Sequence, residues 1–212
     1  GPVTRRFINL SAIPLAFGLF CCAPDADVSD DVESAQAQLL DASVAPVDGG
    51  VRTSDASTAP FALTSSVVKD GELLPNGARC KGESPPLTWT PGPAGTKSYA
   101  LVFQDLVNNY YHWVIYDIPA TERGLPGNVQ KVAAPAVPSG AKQAPNYSGA
   151  RAYDGPCFPI GGERAYAFKV YALDVATLPA VTGNAAAGFV SAIEAHDLAS
   201  ATLNIKSKPG PR

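Results

Sequence analysis

After position 60 the chain falls into short runs of branched and aromatic residues: FALTSSVV, SYALVF, HWVIYDI, AYAFKVYAL and, near the end, ATLNIK. Turn residues close each run, and runs of this kind predict β-strands. One stretch has a different period. NAAAGFVSAIEAHDLAS carries apolar residues at helical spacing, which predicts a helix with Asn184 as its N-cap and His196 at a core position. Two connections, KGESPPLTWTPGPAGTK and AAPAVPSGAKQAPNYSGARAYDGPCFPIGG, are long and rich in Pro and Gly. Connections of that length are uncommon in a compact domain unless they carry function.

Within YYHWVIYDIP, simple alternation puts His112, Val114, Tyr116 and Ile118 on one face of a strand. Trp113, Ile115 and Asp117 fall on the other. His112 opens the strand beside QDLVNNYY, the loop that carries Asp105. Strand ends that meet long loops present binding residues from a rigid frame. The alternative is a half-buried histidine satisfied by a backbone carbonyl.

Charge divides the chain further. Over 212 residues the net charge is -3, and 20 prolines with 19 glycines favour turns over a helical bundle. Residues 23–60 carry eight acids against the single base Arg52 and no aromatic residue, so they lack the apolar area needed to offset ordering entropy. Residues 23–58 are read as an acidic, disordered tether. The segment beyond them is near neutral, which argues against nucleic-acid binding through a basic surface. Residues 1–22 pair Arg5 and Arg6 with FINLSAIPLAFGLF and then Cys21 and Cys22, the layout of an export signal. LFCC resembles a lipoprotein cleavage box, with Cys22 (or Cys21) as the lipidated residue. Plain secretion and an uncleaved anchor are the alternatives. The domain is expected over residues 59–208, followed by a tail at 209–212.

The order SPPLTW, SYALVFQD, HWVIYDIP, YDGPCFP and RAYAFKVYALD resembles the phosphatidylethanolamine-binding protein family, and more narrowly its bacterial Raf-kinase-inhibitor-like branch. The resemblance covers about residues 61–206. It implies a mostly β fold, with a large antiparallel sheet, a second smaller sheet and a few short helices. It also implies a pocket for phosphate-like and other small anions. Carried over by position, Asp105 matches the first aspartate of the DPDxP motif and His112 the histidine of the HW motif. Gly155, Pro156 and Pro159 match the GPxPP loop, with Tyr153 just ahead of it, and Tyr166 matches the tyrosine of the H-R-Y motif. The chain departs from the pattern at Val107, where the second aspartate would fall, and at Phe158, which replaces a proline. Arg164 stands where the family has its second histidine.

On this reading Arg164 supplies a permanent positive charge and a planar fork suited to phosphate or carboxylate oxygens. Its alternative is a surface cation paired with Glu163 or Asp154. Asp105, if close to His112, would fix the imidazole tautomer and favour its charged form. Cys80 and Cys157 are expected to form a disulfide in an exported domain, stabilising by about 4 kcal/mol on the chain-entropy account. Two free thiols, or a reactive Cys157 with His112 as its base, are the other possibilities. No metal-ligand spacing, Gly-rich phosphate loop or GxSxG elbow is found, and no cofactor is expected.

The leading expectation is an exported, lipid-anchored binding protein of the cell envelope, or otherwise a periplasmic or secreted one. Its partner would be a small anion or phosphorylated head group, bound without turnover. It would touch the membrane only through the anchor. A second reading is a regulatory or inhibitory module that binds an envelope protein. A third, weaker reading is a hydrolase using Asp105 and His112 as an acid/base pair.

Overall fold

The structure, a computed structural model, describes residues 59–210. The export signal, the tether and the candidate lipidation residues Cys21 and Cys22 lie outside the described residues. Two antiparallel sheets organise the rest. The larger contains β3 (Ser98–Asp105), β4 (Tyr111–Pro119), β6 (Lys142–Gln143), β7 (Arg164–Leu173) and β8 (Asp197–Ser207), in the spatial order β6-β4-β3-β7-β8. The smaller contains β1 (Leu63–Thr64), β2 (Leu87–Trp89) and β5 (Gly124–Leu125), in the order β1-β2-β5. One α-helix, α1 (Ala186–Glu194), and one 3-10 turn at Asn76–Ala78 complete the elements.

The central strand β3 is buried at almost every position because the large sheet is covered on both faces. Tyr99, Leu101 and Phe103 pack with Leu63, Leu87, Trp89 and Leu125, all four from strands of the small sheet. Ala100, Val102 and Val114 pack on the other face with Phe189, Val190 and Ile193 of α1. A strand sandwiched in this way reads as a continuous apolar run rather than an alternating one.

Two irregularities in β4 correct the expected alternation. Val114 and Tyr116 do share one face, and Trp113 and Ile115 the other. Toward the strand's end, however, the register passes from Ile115↔Leu101 to Ile118↔Tyr99, leaving Tyr116 and Asp117 opposite a single residue. Ile118 therefore joins Trp113 and Ile115 in the core beneath the small sheet. Asp117 sits at φ 56°, a left-handed conformation that costs roughly 1–2 kcal/mol. Its carboxylate accepts hydrogen bonds from Leu178 N at 2.7 Å and Lys142 Nζ at 2.9 Å, which offset that cost.

The helix also differs from expectation. Its N-cap is Ala185 rather than Asn184, with no side-chain cap. It ends before His196, which is partly exposed and bonds through Nδ1 to Asp174 Oδ1 at 2.8 Å instead of packing in the core. The backbone resumes as β8 from Asp197, so the tail of the helical pattern belongs to a strand.

Candidate oxyanion site at the end of the large sheet

Strand direction gathers the site. Because β3 runs antiparallel to both neighbours, its C-terminal end lies beside the N-terminal ends of β4 and β7. Asp105 ends β3, His112 stands near the start of β4, and Arg164 and Tyr166 open β7. Asp105 pairs directly with Tyr166. A second register shift, between Phe103↔Trp113 and Gln104↔Tyr111, leaves His112 as an extra residue in β4. Its ring then meets Phe103 (centroids 5.6 Å) and Tyr166 (5.5 Å, edge-on) instead of lying with Val114. Bulges commonly re-aim a side chain in this way beside functional sites.

These residues surround a small cavity of about 130 Å³, lined by Asp105, Asn108, Tyr110, His112, Tyr147, Cys157, Phe158, Arg164 and Tyr166. That is below the roughly 300–1,000 Å³ of pockets that hold drug-sized ligands. It suits a small ion with a water or two. A larger cavity of about 630 Å³ shares the Tyr110 and Tyr147 wall, but no charged side chain lines it. The titratable groups converge on the smaller one.

Asp105 is held by the turn that follows it. Its Oδ1 accepts from the backbone N–H of Val107 at 2.7 Å and of Asn108 at 3.0 Å, and its Oδ2 accepts from Asn108 Nδ2 at 3.0 Å. Asn109, at φ 60°, closes this turn in a conformation that asparagine tolerates. Burial pushes the Asp105 pKa up, but the hydrogen bonds from Asn108 and Val107 and the His112 charge outweigh it and hold the carboxyl below 3.8. The Val107 side chain faces solvent and does not line the cavity.

The imidazole tautomer is set by a backbone carbonyl and not, as expected, by Asp105. His112 Nδ1 lies 2.8 Å from the carbonyl oxygen of Asp154. A carbonyl only accepts, so Nδ1 carries the proton and Nε2 is left with its lone pair in the neutral ring. Nε2 has no protein partner among the described residues, nor is it a sealed, unsatisfied atom. Burial lowers the His112 pKa below 6.5, against the opposing pull of the Asp154 hydrogen bond and the charges of Asp154 and Asp105.

Arg164 lies against the Phe158 ring, its guanidinium carbon 4.1 Å from the centroid, on the wall of the cavity. Neither expected surface partner holds it: no carboxylate lies within ion-pair distance among the described residues, and Glu163 faces Lys208 at 3.9 Å. Phe158, where the family has a proline, thus becomes a platform for the new cation. Tyr166 is pushed well above its ordinary pKa by burial first and then by the Asp105 charge, with Arg164 opposing, so its hydroxyl keeps its proton. Burial, together with the Asp154 charge, likewise pushes Tyr147 up to about 12.

Tyr153, Gly155, Pro156 and Pro159, expected as ligand residues, do not line the cavity. Tyr153 is buried against Phe103, their rings stacked at 5.6 Å, and donates its hydroxyl to the Ala78 carbonyl. Gly155 N donates to Cys80 O at 2.9 Å and Cys80 N to Pro156 O at 3.0 Å, so this loop and the 78–80 segment are laced together. A Cβ at Gly155 would lie 2.3 Å from Ala78 O, which only glycine avoids. Cys80 and Cys157 are joined as a disulfide that fastens the same two segments, and Cys157 therefore offers no thiol. Sequence reasoning missed Asn108, Tyr110 and Tyr147 as wall residues. Tyr110 signalled itself in the YYHW run; Tyr147 lies in an irregular loop with no pattern to mark it.

Comparison with known proteins places the fold. The family model for phosphatidylethanolamine-binding protein matches residues 64–208. A UPF0098 protein of Aquifex aeolicus is 43% identical over 116 residues, covering 52% of this chain and 66% of its own length. YbcL of Escherichia coli, also a UPF0098 protein, is 33% identical, covering 71% of this chain and 89% of its own. The crystal structure of YbcL, described as a member of the mammalian PEBP family, superposes with a TM-score of 0.65 at 30% identity, over 73% of this chain and 100% of that one. A homologue from Chlamydia trachomatis superposes with a TM-score of 0.59 at 28% identity, over 72% of this chain and 99% of its own. The two-sheet fold, the matched span and these relatives together mean that the chain belongs to the phosphatidylethanolamine-binding protein family.

Proposed function

We propose that this protein binds a small oxyanion, free or as a phosphorylated head group, in the cavity formed by Asp105, His112, Arg164 and Tyr166, and does not turn it over. The observation that carries the reading is the stacking of Arg164 on Phe158 at 4.1 Å. It commits a guanidinium to the cavity wall with no carboxylate partner among the described residues. A planar fork held in place loses little entropy when it grips two oxygens of phosphate or carboxylate. The Tyr166 hydroxyl adds a neutral donor beside it. Export and lipid anchoring through Cys22 (or Cys21) belong to the same proposal, as a means of holding the domain in the cell envelope. Calorimetric titration with inorganic phosphate tests the binding. Saturable binding to the wild type that is lost in His112→Ala/Arg164→Ala supports it, and binding untouched by both substitutions removes it.

A second reading, a module that docks on an envelope protein, draws support from the cavity's surroundings. Leu106, Val107, Tyr110, Tyr147 and Ile160 are all exposed apolar or aromatic side chains on segments that border it. An acidic or phosphorylated side chain of the partner would then enter the cavity. Retention of a partner from envelope extracts that free phosphate fails to displace would favour this reading over the first.

A further inference from the structure

We propose that the cavity selects oxyanions that carry their own proton, hydrogen phosphate above sulfate, because His112 presents the ligand with a hydrogen-bond acceptor. The inference rests on the oxyanion reading above and narrows its ligand class.

The geometry behind it is the contact between His112 Nδ1 and the Asp154 carbonyl oxygen at 2.8 Å, which places the single proton of a neutral imidazole on Nδ1. The cavity therefore meets a lone pair at Nε2. Asp105 offers a second acceptor group, since an ionised carboxylate donates nothing. Its Oδ1 already takes two backbone N–H groups, and its Oδ2 takes Asn108 Nδ2. The groups facing His112 come from three directions: Asp105 from β3, Asp154 and Tyr147 from the long loop, and Tyr166 and Arg164 from β7. Asp105 and Arg164 bring opposite charges, so the walls are nearly neutral and the hydrogen-bond pattern decides the fit.

Sulfate and hydrogen phosphate have the same shape and the same charge near neutral pH. Hydrogen phosphate turns its one O–H toward Nε2 while its bare oxygens face Arg164 and Tyr166. Sulfate sets an oxygen lone pair against the imidazole lone pair, and a phosphodiester does the same. An aprotic anion is accommodated only once the imidazole takes a proton on Nε2, which the burial of His112 opposes. Affinity for aprotic anions therefore falls as pH rises, whereas affinity for hydrogen phosphate persists.

Calorimetry on the full wild-type chain at pH 8 and pH 5, with inorganic phosphate, sulfate and dimethyl phosphate as probes, tests this without any variant. The expected result is phosphate binding tighter than either aprotic anion at pH 8 by about tenfold or more, the scale of one hydrogen bond to a charged group. The gap should narrow at pH 5. His112→Phe, which removes the lone pair and keeps an aromatic ring, should bring the pH 8 ratio toward one. Equal affinities of the wild type for phosphate and sulfate at pH 8 would overturn the inference and leave the oxyanion site standing. Failure of all three probes to bind would overturn the oxyanion reading and this inference with it.

Discussion

His112 and Asp154 bind each other twice. The Asp154 N–H donates to the His112 carbonyl oxygen at 3.1 Å, and the His112 ring donates from Nδ1 to the Asp154 carbonyl oxygen at 2.8 Å. One side chain thereby fastens the long loop to β4 and fixes which nitrogen the cavity receives. Satisfied polar groups of this kind resist removal, because the partner left behind stays buried.

Neutrality of His112 makes stability depend on pH. Burial keeps its pKa below 6.5 in the folded protein, while the unfolded chain returns to about that value. The unfolded state binds more protons between the two values, so the contribution is complete above the unfolded pKa and is lost as pH falls through the window below it. Asp105, held below 3.8, adds its own loss only in stronger acid. The urea midpoint of ligand-free protein should fall from pH 7 to pH 5, and fall less in His112→Gln. Parallel declines in the two proteins would contradict the assignment.

Arg164→Lys separates geometry from charge. Lysine keeps the positive charge but loses the fork and the stacking on Phe158. Phosphate affinity should drop on the order of tenfold, and stability by no more than about 1 kcal/mol, the scale of a surface cation–π contact. Calorimetry and thermal unfolding of the same preparation measure both.

Tyr153→Phe should do the reverse. It removes the hydroxyl given to the Ala78 carbonyl and leaves a buried acceptor unpaired, a cost of about 1–3 kcal/mol. Since Tyr153 lies outside the cavity, phosphate affinity measured by titration should not change. A selective loss of affinity would restore it as a ligand residue.

The Cys80–Cys157 bridge closes a sequence separation of 77 residues. Its removal by Cys80→Ala with Cys157→Ala should cost about 2–5 kcal/mol in urea unfolding. Peptide mapping under non-reducing conditions should recover the two cysteines as one linked peptide.

The main strands were legible because each is long enough for burial to stamp a pattern on it; β3, β4, β7 and β8 are all of that kind. β5 and β6, of two residues each, and β2, of three, are too short to show a period, and β2 lies within a Pro-rich connection. The errors in β4 share a cause. A bulge adds one residue without marking the sequence, and every face assignment beyond it inverts. Position alone picked out Asp105, His112, Arg164 and Tyr166, which the fold brings to one cavity. It could not tell that Tyr153 supports the cavity from beneath, nor that Phe158 lies under Arg164, because both facts depend on how a long loop folds back. The Asp154 carbonyl was beyond reach for a simpler reason: any residue could supply it.

The most direct test is a crystal structure of the protein grown in phosphate. A tetrahedral ion within hydrogen-bonding distance of His112 Nε2, the Tyr166 hydroxyl and the Arg164 guanidinium is the predicted result. A cavity holding only water, with Arg164 turned out to solvent, would contradict it.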